Sequence, residues 1–277
     1  MLSIIVSWRD RDEIAHSIKP MSECATALDG EVVIVNFGGD LHRLLRHVQG
    51  VHNTRVIDTG YQKYFNKGKA HNAGVAAANG DILFFCDCDI LLERTDVQTI
   101  AECIEQESGL FGTIAGVRET LPNARGAGNV VCFGYELFIR IANGQELKII
   151  DNEEDTAEGT RQAPGLLFVK RPDFLFINGY NGALHGWGWE DQDIIARLTL
   201  AAGLKRYSQG SALHISHGDD SRVAHYPVKD RWESRDRAFR QALANYDRGD
   251  FLGTYRCDIA TLSLTEETSN SSGKIVT

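Results

Sequence analysis

The chain has 277 residues, 43% hydrophobic and 24% charged, which is the balance of an ordinary globular protein and enough length for one large α/β domain. A net charge of −9 and a pI near 5.5 leave no basic surplus to neutralise phosphates, which argues against a nucleic-acid binder. No apolar stretch approaches membrane-spanning length and no basic segment leads into a signal-like run. The cysteines (24, 86, 88, 103, 132, 257) lack paired zinc-ligand spacings, so reduced thiols and a cytoplasmic location are expected.

Leu2–Ser7 reads as a strand, followed by a helical pattern over Asp12–Leu28 that Pro20 breaks or restarts. Glu31–Asn36 is a second strand, Asp40–Val48 an amphipathic turn and Thr54–Asp58 a third strand. Lys67–Asn79 has helix composition and ends at Asn79-Gly80, and Asp81–Cys88 is a fourth strand. This β-α-β-α-β-α-β order calls for a mainly parallel sheet with helices on both faces.

Asp96–Glu107 (helix) and Gly112–Val117 (strand) follow. Residues 118–162 carry Gly126, Gly128, Gly144 and the acidic run Asp151–Asp155, and read as a flexible loop or small insertion over the site. Pattern returns at Gly165–Val169 and in the helix Glu190–Leu200, then in a short strand at Leu213–Ile215 and a charged amphipathic helix at Asp230–Tyr246. The Ser/Thr-rich tail, 261–277, is expected to be disordered.

Within this order three constellations carry chemistry. Asp87-Cys88-Asp89 sits inside the apolar run Phe84–Leu92, as on a buried strand that delivers two carboxylates to its C-terminal end. Buried carboxylates are costly unless a cation or hydrogen bonds hold them, and ligands gather at the C-terminal ends of strands in α/β sheets. A hard divalent cation with a phosphate-bearing substrate fits, and so do acids that merely cap the strand or the next helix.

The second constellation is Gly186-Trp187-Gly188-Trp189-Glu190-Asp191-Gln192-Asp193. Acids at a helix start are favoured by the helix dipole, about 0.3–1 kcal/mol each at exposed sites, so a capped helix over core tryptophans is the plain reading. A sugar site uses the same elements: a flat ring against the pyranose, carboxylates on its hydroxyls, and one carboxylate as general base. The third is Leu213-His214-Ile215-Ser216-His217. On a continuing strand the two imidazoles face opposite ways, so both reach one ion only if the chain bends between them.

Together these residues make the chain resemble the GT-A glycosyltransferases, within them the β-1,4-galactosyltransferase-like group that includes bacterial chondroitin-polymerase-type domains. Ser7-Trp8-Arg9-Asp10-Arg11 stands where that family has its Pro-Phe-Arg-Asn-Arg nucleotide loop. Phe65-Asn66-Lys67-Gly68-Lys69-Ala70-His71-Asn72 is similar to its Phe-Asn-Arg-x-x-x-x-Asn segment, and Cys86-Asp87-Cys88-Asp89 to its Asp-x-Asp motif. Ile177-Asn178-Gly179-Tyr180 with Gly186–Asp193 resembles its Asn-Gly-Phe and Trp-Gly-Gly-Glu-Asp-Asp-Asp motifs, and His217 stands at its metal-binding His.

The resemblance implies a single GT-A domain over 1–260, a Rossmann-like nucleotide-diphospho-sugar transferase fold with C-terminal acceptor-side helices. Residues 1–117 would be its nucleotide-binding half and 163–260 its acceptor and catalytic half. It implies a metal-dependent inverting transferase that moves a sugar, Gal or GalNAc, from a UDP-sugar to a hydroxyl of a glycan or glycolipid. Peripheral membrane association would follow if the acceptor is lipid-linked. Asp89 would hold Mn²⁺ (or Mg²⁺), with Asp87 ordering the site, His217 completing it and His214 beside it. Asp191 would be the general base. Ser7, Trp8, Arg9, Phe65, Asn66, Lys67 and Cys88 would contact the nucleotide; Trp187, Gly188, Trp189 and Glu190 would contact the sugars.

The sequence departs from the family pattern at three points. Trp189 replaces a glycine, Gln192 replaces an acid, and His214 stands where vertebrate members have a methionine that can touch the metal. Two other functions fit the sequence less well. A sugar-phosphate nucleotidyltransferase needs a glycine-rich phosphate loop after the first strand, which Ser7–Arg11 lacks. A catalytically inactive sugar-binding module has no need of the general base that Asp191 would supply.

Overall fold

The computed structural model of the chain describes residues 1–61, 63–121, 132–154, 160–268 and 271–275. Its first half alternates β1 (Leu2–Trp8), α1 (Ile14–Thr26), β2 (Glu31–Asn36), α2 (Leu41–Val48), β3 (Thr54–Asp58), α3 (Lys67–Ala77) and β4 (Ile82–Asp87). Then come β5 (Ile90–Leu92), α4 (Arg94–Gln106), β6 (Leu110–Glu119), β7 (Cys132–Arg140), β8 (Glu146–Glu154) and β9 (Thr160–Arg161). The remainder is β10 (Leu167–Lys170), α5 (Arg171–Phe176), α6 (Glu190–Leu200), β11 (Lys205–His214) and α7 (Asp219–Val223). Helices α8 (Arg231–Asp247) and α9 (Tyr255–Thr261) and strands β12 (Thr265–Thr268) and β13 (Ser271–Ile275) complete it.

One eleven-stranded sheet runs β13-β12-β3-β2-β1-β4-β10-β6-β11-β5, with β9 on β6. Strands β3, β2, β1 and β4 are mutually parallel, as the alternating pattern requires, and β6 and β11 are parallel to each other. β10 is antiparallel to both of its neighbours, β4 and β6. β1 is buried on both faces, and its side chains divide by pleat. Ile4 and Val6 join Ile14, Ile18 and Met21 of α1 on one side. Ile5, with Leu83 and Phe85, joins Phe174, Tyr180, Ile194 and Leu198 on the other.

Four expectations change. α1 runs through Pro20 unbroken, because Ile14, Ile18 and Met21 are buried on both sides of it. This burial offsets a cost of about 3 kcal/mol for an interior proline. The strand expected over Asp81–Cys88 is followed by one that was not expected: β4 ends at Asp87, and after Cys88 and Asp89, β5 leaves for the far edge and pairs antiparallel with β11. The strand expected at Leu213–Ile215 is only the end of the ten-residue β11. The tail, expected to be disordered, pairs β12 antiparallel with β3, and Glu266 holds Arg55 at 2.8 Å.

Within the segment expected to be an insertion, β7 and β8 form an antiparallel hairpin and β9 joins β6; residues 122–131 and 155–159 lie outside the described residues. No helix among the described residues is long and apolar enough to cross a membrane.

Close packing of α3 on the sheet rests on Gly74, where an added Cβ would lie 2.4 Å from Ile5 Cγ2 and 3.1 Å from Val35 Cγ2. Gly74→Ala should therefore destabilise by about 1–3 kcal/mol through overpacking, against a gain of about 1 kcal/mol in helix propensity. Urea unfolding measures it, and a variant as stable as the parent would contradict this packing.

Candidate active site

Strand ends gather the site. Ser7 at the end of β1 pairs in register with Asp87 at the end of β4, and both face a cavity of about 230 Å³. The turn after β4 carries Asp89 to the end of β11, where the Ile215 amide donates to the Asp89 carbonyl at 2.8 Å. β11 stops at His214, and 215–218 run without helix or strand, which is the bend needed for both imidazoles to face one side. His214 Nε2 lies 3.5 Å and His217 Nε2 3.2 Å from Asp89 Oδ2.

Asp89, His214 and His217 are the one group of three such side chains among the described residues whose ligand atoms all lie within 4.8 Å of one another. Asp89 Oδ1 is buried and has no hydrogen-bond partner among the described residues, while Oδ2 also takes Arg11 Nη2 at 2.9 Å. Burial opposes the charge on Asp89, but His214, His217 and Arg11 together hold its carboxyl well below the usual carboxylate range. His214 sits between two carboxylates, with Nδ1 2.7 Å from Glu119 Oε2. A neutral imidazole has one N–H, so the pair of acceptors demands either a second proton or a cation shared with Asp89. Burial lowers His214 while Asp89 and Glu119 raise it, and the net shift is upward. The Asp89 carboxylate and the two imidazoles therefore fit a divalent ion.

Asp87, expected to order the site, pairs with Lys67. Lys67 Nζ lies 2.8 Å from Asp87 Oδ1 and 2.9 Å from Asp191 Oδ2, at the first turn of α3. Burial opposes the ammonium charge, but Asp191, Asp87 and Glu190 keep it well above the ordinary lysine value. Gly165 covers the pair with bare backbone; a Cβ there would lie 2.6 Å from Asp191 Oδ2 and 3.0 Å from Lys67 Nζ. Asp191 Oδ1 is buried and has no partner among the described residues. Burial raises the Asp191 carboxyl most, Lys67 pulls it down, and Asp87 adds to the rise.

Ser7, Arg9, Phe65, Cys88, Trp187, Gly188, Trp189 and Glu190 line the same cavity. Two expected nucleotide contacts do not. Trp8 is fully buried in the core beside α1, its Nε1 donating to the Arg11 carbonyl at 2.7 Å. Asn66 is the N-cap of α3, accepting from the Lys69 amide at 2.9 Å and donating to the Gly182 carbonyl at 2.9 Å, so both ends of its amide are engaged.

Trp189 takes a left-handed φ of 72° at the start of α6 and packs edge-on against Phe239 at 4.6 Å, which leaves it 5% exposed. Trp187 is the half-buried ring, 5.8 Å from the Arg231 guanidinium. Asp193 pairs with Arg197 at 2.8 Å and accepts from Tyr246 at 2.7 Å in the core, so the last acid of the run is structural.

Sequence reasoning did not single out Arg11 on Asp89, Glu119 behind His214, or Lys67 as the bridge between two acids. Arg11 was visible inside the Ser7–Arg11 run; the other two depend on pairings between distant segments.

The family model described as the N-terminal domain of galactosyltransferase matches residues 152–218, the stretch that carries Trp187, Asp191, His214 and His217. No curated protein sequence matches the chain. Among solved structures, Staphylococcus aureus TarS 1-349 superposes with a TM-score of 0.53 at 13% identity, over 87% of this chain and 70% of that one. The same TarS fragment in complex with UDP gives 0.52 at 12%, over 88% and 71%. A mannosyltransferase from Pyrobaculum calidifontis, PcManGT, in complex with GDP-Man and Mn²⁺ gives 0.53 at 12%. This chain spans 89% of its own length and 64% of PcManGT in that superposition. The fold is thus that of the GT-A glycosyltransferases, as the resemblance implied.

Glu190 makes this site sensitive to pH. Burial, and then the charge of Asp191, push its carboxyl from 4.5 up to about 8 against the pull of Lys67. The folded chain then holds a proton that the unfolded chain releases, so stability should fall as pH rises from about 4.5 to about 8 and level off above that. Thermal unfolding at pH 5.5 and 8.5 should show a smaller drop in Glu190→Gln than in the parent; equal drops would contradict the assignment.

Proposed function

We propose that the chain is a metal-dependent inverting glycosyltransferase that moves Gal or GalNAc from a UDP-sugar to a hydroxyl of a glycan or glycolipid acceptor. The observation that carries this reading is the division of the cavity into two centres. Asp89, His214 and His217 form one donor set, and Asp191 lines the same cavity with one oxygen held by Lys67 and the other without a partner among the described residues. The UDP in the TarS complex and the GDP-Man and Mn²⁺ in the PcManGT complex support a nucleotide-sugar donor with a divalent ion.

When bound by Asp89, His214 and His217, Mn²⁺ (or Mg²⁺) would supply Lewis-acid stabilisation of the charge that develops on the departing diphosphate. Two imidazoles beside one carboxylate favour Mn²⁺ over Mg²⁺. Ser7, Arg9, Phe65 and Cys88 hold the nucleotide. Arg9 keeps a buried Nε without a partner in the described structure, and Phe65 is braced edge-on by Tyr226 at 5.6 Å.

Asp191 takes the acceptor hydroxyl proton on Oδ1 as that oxygen attacks the anomeric carbon. The new carbon–oxygen bond forms opposite the breaking bond to the diphosphate oxygen, so the configuration inverts through an oxocarbenium-like transition state. Lys67 keeps Asp191 in place and leaves Oδ1 for the proton. Glu190, held neutral, offers a hydroxyl hydrogen as well as acceptor oxygens to the sugars, and Trp187 offers a ring face.

Asp191→Asn should lower transfer by about 10²–10⁴-fold, the usual worth of a general base, while UDP and Mn²⁺ still raise the melting temperature as in the parent. A fully active variant would remove Asp191 from this role. A parent that binds UDP and Mn²⁺ but transfers no sugar in a mass-spectrometric screen of UDP-sugars would favour an inactive binding module instead.

A further inference from the structure

Behind the cation-facing edge of His214 stands Glu119, the last residue of β6, in register opposite His214 at the end of β11. Its Oε2 accepts from His214 Nδ1 at 2.7 Å and from the Ser216 hydroxyl at 2.8 Å. Its Oε1 accepts from Arg161 Nε at 3.0 Å, so β9 backs the same carboxylate. Three donors thus surround this carboxylate, and an ionised carboxylate accepts hydrogen bonds only.

This has a chemical consequence for the ring in front of it. An imidazole whose Nδ1–H is tied to a fixed carboxylate presents the Nε2 lone pair on its other edge, and here that edge faces Asp89 at 3.5 Å. His217 is arranged the same way, with Nδ1 3.1 Å from the Gly218 carbonyl and Nε2 toward Asp89. Without Glu119, His214 is free to place its proton on Nε2, donate to Asp89 and withdraw from any ion.

We propose that Glu119 is a positioning residue that fixes the tautomer of His214, so that the chain binds its divalent cation through two imidazoles and Asp89. The proposal rests on the cation site of the preceding reading. It further requires selectivity for cations that accept nitrogen donors, such as Mn²⁺ or Co²⁺, over Mg²⁺ and Ca²⁺. Arg161 acts through Glu119 and does not touch the ion.

The test uses the full chain and Mn²⁺ alone. Free Mn²⁺ is titrated by electron paramagnetic resonance, and the nitrogens on bound Mn²⁺ are counted by electron spin-echo envelope modulation. The parent should show two imidazole nitrogens. Glu119→Ala should bind Mn²⁺ about 10–100-fold more weakly and show one nitrogen, the loss typical of a missing outer partner. Glu119→Gln, whose amide oxygen still accepts from Nδ1, should regain the second nitrogen with intermediate affinity.

Parental affinity and two nitrogens in Glu119→Ala would overturn the proposal while leaving the cation site standing. A parent that binds no Mn²⁺ would remove both. If Glu119→Ala does not fold, the comparison passes to His214→Ala, where an unchanged nitrogen count would equally overturn it.

Discussion

The site is organised by one buried ammonium. Lys67 is 8% exposed and meets Asp87 and Asp191 at under 3 Å, with Glu190 close enough to act on its charge. Asp87 keeps 41% of its side chain exposed, but Glu190 is buried and Asp191 nearly so, and both cannot be charged beside a single cation, since unpaired buried charge costs several kcal/mol. The structure resolves this by keeping Glu190 protonated and the two aspartates paired. Lys67 thereby ties the start of α3 to the end of β4 and the start of α6. Asn66 reinforces the link by capping α3 and holding the Gly182 carbonyl.

This pairing divides the labour of the acid pair. Asp87 stays at the end of its strand and belongs to the lysine. Asp89, two residues on, is carried by the turn toward β11 and belongs to the imidazoles. A break of two residues between β4 and β5 is enough to send neighbouring carboxylates into different electrostatic surroundings. The Asp89–imidazole centre and the Lys67–Asp191 centre then share one cavity, with Arg11 paired to the first and Lys67 holding the second.

The alternating half of the fold was legible because β1, β2 and β4 are buried on both faces and read as nearly unbroken apolar runs. β11 was not, since most of Lys205–Ser211 is exposed or half-buried and carries no apolar pattern; its pairing with β6 is made by the backbone. The tail strands are Ser/Thr-rich and are held by an edge of β3 and by Arg55, neither of which local composition reveals. At the site, the residue types and their order were readable, and the cavity gathers most of them. Their partners were not. Lys67 and Asp191 are 124 positions apart, and His214 and Glu119 are 95 apart. For Trp8 and Asn66 the motif did not reveal that core packing and helix capping engage the side chains.

The division into two centres is tested most directly by locating the ion. Crystals grown with Mn²⁺ and UDP, measured at the manganese absorption edge, should show one anomalous peak bonded to Asp89, His214 and His217, with Lys67 still between Asp87 and Asp191. A peak on Asp87 or Asp191 with the lysine displaced would contradict the account.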